Sequence, residues 1–127
     1  MPKTVAALTI VVALVLCLAP TGTPATAANS VCPTLTGHTW HKGGKSGNKY
    51  SWEVIGTAFT CGNAKHWVQT LLAKPVHGTG RVPLKGGPSG YHCVGNLLDA
   101  KGYPYWGMCY QHTIAFPKNG ISWNPAP

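Results

Sequence analysis

Four cysteines constrain this chain more than any other feature: Cys32, Cys61, Cys93 and Cys109, spread through residues 29–127. A domain of that size encloses a small core that leaves little net stability on its own. An even cysteine number in a short exported chain reads as two disulfides, because cross-links compensate for a small core. No Cys-x-x-Cys occurs, and no close Cys/His pair repeats at zinc spacing. The thiols are therefore expected as bridges rather than metal ligands. A fifth cysteine, Cys17, lies apart in an apolar amino-terminal run.

That run points to the compartment. Lys3 precedes an apolar stretch from Val5 to Ala19, Pro20 and Gly22 break it, and Ala25-Thr26-Ala27-Ala28 supplies small residues. Charged end, apolar middle and small-residue cleavage site are the layout of a secretory signal. The stretch falls short of the ~20 residues that a spanning helix needs, and no positive stop-transfer cluster follows it. Residues 1–28 are thus expected as a cleaved leader, and residues 29–127 as a single small disulfide-stapled, extracellular domain. The alternative is a lipid anchor at Cys17. Leu14-Val15-Leu16-Cys17 resembles a bacterial lipobox, but Leu16 stands where that motif needs a small residue.

Local pattern suggests how the cysteines pair. Tyr91 to Leu98 and Pro104 to Tyr110 read as strands, and Asp99-Ala100-Lys101-Gly102-Tyr103 between them has turn chemistry. A hairpin centred on Lys101 sets Cys93 opposite Cys109, where opposed Cβ atoms come within bridging reach. Cys32 is then left for Cys61. The other pairing, Cys61–Cys93 with Cys32–Cys109, stays open on these grounds.

The remaining pattern is α+β: one helix packed on a small antiparallel sheet with two disulfides. Residues 29–49 show no regular period, and Lys42 to Lys49 form a Gly-rich cationic loop. Tyr50, Trp52 and Val54 alternate as one face of a strand that Gly56 ends. Thr60 can cap a helix. Cys61, Ala64, Val68, Leu71 and Leu72 then recur on one helical face, Trp67 at its edge, until Lys74-Pro75 stops it. Residues 75–90 read as a long Pro/Gly loop. A strand is expected over His112 to Phe116, a turn at Pro117-Lys118-Asn119-Gly120, a strand at Ile121 to Trp123 and a tail from Asn124.

Several of these residues carry a family likeness. Val54-Ile55-Gly56, Cys61-Gly62-Asn63-Ala64 with Val68, Gly90-Tyr91-His92-Cys93, Met108-Cys109 and Ile114-Ala115-Phe116 stand in one order. In that pattern, over roughly residues 50 to 123, the chain resembles a loose group of uncharacterised small secreted proteins of high-GC Gram-positive, actinobacterial type. The resemblance implies the architecture: a strand ending in Gly, a helix opening with Cys and Ala, two Cys strands and a final apolar strand. It implies no activity and no site residue.

Charge is the feature that bears most on function. Setting Lys3 aside with the leader leaves nine of the ten cations against Glu53 and Asp99, a net charge of +7. A field of that sign draws anionic polymers such as nucleic acid, wall polymer or acidic glycan, or it serves solubility alone. Lys42, Lys45, Lys49, Arg81 and Lys85, in the two expected loops, are the candidate ligand-binding residues. Among the aromatics, Trp52 and Trp123 are expected in the core. Trp40, Tyr103 and Tyr105 are expected at the surface, where rings beside cations stack on sugars or bases.

Catalytic motifs are weak by comparison. Two acids that nothing requires to meet do not make a carboxylate pair, and bridged cysteines cannot act as nucleophiles. His38-Thr39-Trp40-His41 lacks the further ligands that a metal needs. No cofactor, metal or catalytic residue is therefore assigned. The expectation is a secreted basic binding or interaction protein whose partner is an anionic macromolecule at or near the cell surface, or an extracellular protein. Two alternatives belong to other classes. One is a small secreted enzyme or toxin, such as a metal-independent nuclease built from His and Lys. The other is a hydrolase inhibitor that presents the loop 75–90.

Overall fold

A computed structural model describes residues 29–97, 101–115 and 117–127. The expected leader, the Cys17 anchor alternative, Asp99 in the expected turn and Phe116 lie outside the described residues. The chain runs β1 (Ser30–Lys42), β2 (Lys45–Ile55), α1 (Cys61–Ala73), β3 (Val76–His77), β4 (Arg81–Pro83), β5 (His92–Asn96), β6 (Lys101–Gly102), β7 (Trp106–His112) and β8 (Pro117–Pro125). Six strands form one sheet in the order β1-β2-β8-β7-β5-β4, with every neighbouring pair antiparallel. β3 and β6 form a separate two-stranded ribbon. The architecture is one helix on an antiparallel sheet with two disulfides, and the sheet is far larger than the sequence pattern suggests.

The helix forms where the spacing predicts. Thr60 is its N-cap: the Asn63 amide donates to the Thr60 hydroxyl, and the Asn63 side chain accepts from the Thr60 amide, a reciprocal capping box. Ala64, Val68, Leu71 and Leu72 are buried on one face. They share one core cluster with Cys32 and Leu35 of β1, Tyr50, Trp52 and Val54 of β2, Ile121 and Trp123 of β8, and Cys109 of β7. With so little Phe and Ile in the chain, the large rings of Trp40, Tyr50, Trp52 and Trp123 join the aliphatic side chains in filling the core. The polar ends of Tyr50 and Trp52 find acceptors on β1. The Tyr50 hydroxyl donates to the His38 carbonyl and the Trp52 indole N–H to that of Pro33. Burial pushes the Tyr50 phenol above its ordinary pKa.

Disulfides join Cys32 to Cys61 and Cys93 to Cys109. Cys93 and Cys109 are register partners across β5 and β7, with Cα atoms 4.0 Å apart. The Cys32–Cys61 bridge ties β1 to the first turn of the helix.

Several local expectations are corrected. Residues 29–49, read as irregular, supply β1 and the start of β2, a long hairpin around Gly43-Gly44. Both glycines have positive φ, 57° and 75°, which suits a two-residue hairpin turn. The loop 75–90 contains β3 and β4 rather than running without structure. Pro117-Lys118-Asn119-Gly120 is no turn but the first half of β8, which continues through the expected tail to Pro125. The chain reverses just before it instead, after His112, whose φ is 77°, so Thr113 to Ala115, expected within a strand over His112 to Phe116, lie outside any strand. Trp40, expected at the surface, is buried, because its indole N–H donates to the Lys49 carbonyl across the hairpin and its ring packs over Gly47.

Candidate functional site

The five candidate cations fall into two groups on opposite edges of the sheet. Lys42 and Lys45 face each other across the tip of the β1–β2 hairpin as register partners. Like charges set directly opposite on a sheet repel one another. Lys49 lies further along β2, where its ammonium donates to the Thr36 hydroxyl over 2.7 Å. Arg81 opens β4, the other edge strand, and Lys85 follows just after it. All five are exposed.

One short segment links the two groups. The Lys42 ammonium lies 5.1 Å from the centroid of the Tyr105 ring, and the Arg81 guanidinium 5.9 Å from that of Trp106. Cations from opposite edges of the sheet thus rest on consecutive residues. Two positions earlier, Tyr103 stacks on His38 of β1, with centroids 3.4 Å apart and planes 12° from parallel. Within segment 103–106, Tyr103, Tyr105 and Trp106 thus each meet a cation or an imidazole from another strand. Tyr103 is exposed, and Tyr105 and Trp106 are half-buried. A ring in contact with a cation keeps the charged head near the surface while covering part of its stem.

Local pattern does not single out Trp106 as a partner for a cation, although its place on the strand is visible in the alternation of β7. In β7, Gly107 and Cys109 are buried while Trp106, Met108 and Tyr110 alternate with them, half-buried on the other face. That face of the sheet, away from the helix, also carries His92, whose ring is 5.9 Å from that of Tyr110. It carries Glu53 as well, which accepts a hydrogen bond from Ser122. Glu53 is the only acidic side chain among the described residues.

The imidazoles are dispersed rather than gathered. His38 is taken up by Tyr103, His66 packs on Trp67, His92 on Tyr110, and His77 lies on β3. Among the described residues no group of three His, Cys, Asp or Glu is placed to hold a metal ion. No helix among them is long and apolar enough to cross a membrane. What the arrangement offers chemically is cationic heads next to accessible rings. No family model, curated protein or solved structure matches the chain.

Proposed function

We propose that residues 29–127 act outside the cytoplasm as a basic binding protein, and that the partner is an anionic macromolecule at or near the cell surface. The compartment rests on the leader-like layout of residues 1–28 and on the two disulfides, which persist in oxidising surroundings. The observation that carries the binding reading is the convergence on segment 103–106. Lys42 and Arg81, from opposite edges of the sheet, rest on the consecutive rings of Tyr105 and Trp106. Lys45 stands opposite Lys42 at the hairpin tip. A polyanion laid along this end of the sheet relieves the repulsion between Lys42 and Lys45 and releases counterions as it binds.

Retention on immobilised heparin or isolated cell wall, measured against salt, tests this. Affinity falls steeply with salt if the cations are used, because each neutralised site displaces counterions. Removing Lys42, Lys45 and Lys49 together shifts elution to lower salt than removing Lys65, Lys101 and Lys118, although the two variants carry equal net charge. Superimposable elution curves overturn the localised site and leave the charge as a solubility device.

A further inference from the structure

A second cationic feature lies away from the hairpin and has an apolar floor. Between the end of α1 and β4 opens a cleft of about 440 Å³. Three smaller concavities along the sheet and helix hold about 200 to 260 Å³. The volume of the cleft falls within the range of ~300–1,000 Å³ usual for small-ligand sites. Leu71, Val76 and Leu84 supply apolar lining, with Leu71 and Leu84 themselves buried. Every titratable side chain lining the cleft is basic: Lys74, His77 and Lys85. The position of Lys74 is informative. A Cβ on Gly86 would collide with its ammonium, so that group reaches from the end of the helix to the backbone beside Lys85. Two lysines are thus gathered at one mouth above an apolar floor, and Glu53, on the far face of the sheet, does not line it.

We propose that this cleft binds a phosphate-headed amphiphile, a phosphate monoester carrying a single alkyl chain. The chemistry follows from the lining. Two ammonium groups and an imidazole match a dianionic head, where a carboxylate would need only one cation, and lysine serves as a point-charge partner for phosphate. The floor then takes the first part of the chain out of water, with a gain proportional to the apolar area covered. The site does not depend on the polyanion reading. The two share only Lys85, and the hairpin lysines do not line the cleft.

Calorimetric titration of the intact, disulfide-bonded protein with octyl phosphate, octyl glucoside and inorganic phosphate, each below any micelle concentration, separates head from tail. Octyl phosphate is expected to bind one to one, about tenfold or more tighter than either partial ligand. Lys74→Ala with Lys85→Ala weakens it about tenfold, while the charge-matched pair Lys65→Ala with Lys118→Ala leaves it within about twofold. The Lys42, Lys45 and Lys49 triple variant retains it, so a failure here and a failure of the polymer reading are told apart. Amide shifts of the unmodified protein give a readout free of variants, with the largest changes expected at Val76 and Leu84. Lack of saturable binding, octyl phosphate no tighter than octyl glucoside, equal loss in both double variants, or shifts centred elsewhere would each overturn the proposal.

Discussion

Gly107 shows how finely the core is fitted at the level of one residue. It is buried on β7 opposite Trp123 of β8, and a Cβ there would overlap several atoms of the Trp123 indole. The indole is fully buried, and its N–H finds no acceptor among the described residues. An unmet buried donor costs about 1–3 kcal/mol. The ring keeps its place because it fills more of the core than any smaller side chain could. Gly107→Ala is expected to destabilise by about 1–3 kcal/mol through overpacking. Gly62→Ala offers the contrast: Gly62 is exposed in the first turn of α1, with only the Thr60 hydroxyl within 4 Å of a Cβ, at 3.8 Å. There alanine is expected to be neutral or to stabilise by about 0.5–1 kcal/mol. Denaturant melts of the two variants decide it, and equal midpoints would show that β7 yields to the extra methyl.

At the scale of the element, α1 gives the sharpest expectation, because one of its faces is buried and the other is wet. Leu71→Ala should lose about 2–5 kcal/mol, with the cavity term included. Lys65→Ala, on the exposed face, should change the melt by less than about 0.5 kcal/mol. Equal shifts would mean that the helix does not pack on the sheet as described. The helix was legible in the sequence because its signals agree: a cap at Thr60, a stripe of period 3.6 and a Lys-Pro stop. The first hairpin was not legible, for a physical reason. Its inward residues in β1 are Cys32, Leu35 and Trp40, and the register slips both between Cys32 and Leu35 and between Thr36 and Trp40. Irregular pairing destroys the period of two by which a half-buried strand announces itself. β8 misled in the opposite way. Asn119-Gly120 has turn chemistry, but the Asn119 side chain is occupied inside the sheet region: its Oδ1 accepts from the Thr57 backbone N–H and its Nδ2 donates to the Gln111 side-chain oxygen. Pro117 stands as the first residue of the strand, where a missing N–H does little harm. For the candidate cations, chain position already gives the two groups but not the rings that they meet. The pairing of Lys42 with Tyr105 and of Arg81 with Trp106 depends on strand order, which local pattern does not encode.

For the molecule as a whole, the two bridges act on different amounts of existing structure. They close loops of similar entropic weight, with sequence separations of 29 for Cys32–Cys61 and 16 for Cys93–Cys109. Chain entropy assigns each about 3–4 kcal/mol. Their neighbourhoods differ more. Cys93 and Cys109 sit inside the β5–β7 ladder, whose backbone pairing also fixes the register of the two strands. Cys32 lies beside a register slip near the start of an edge strand, and its bridge is the covalent link between that strand and the helix that packs chiefly against it. Replacing either pair by alanine should therefore lower global stability by a comparable amount, but the local signatures should diverge. Without Cys32–Cys61, amide exchange should quicken from Ser30 to Leu35 and in the first turn of α1, while β5, β7 and β8 keep their protection relative to the global opening. Without Cys93–Cys109, no segment should open ahead of the rest, and exchange should rise across the sheet with the global free energy alone. Hydrogen exchange on both variants reads this directly. A uniform loss of protection in both would show that the bridges work only by restricting the unfolded chain. Early opening of β5 and β7 in the second variant would show that the ladder between Cys93 and Cys109 depends on its covalent link.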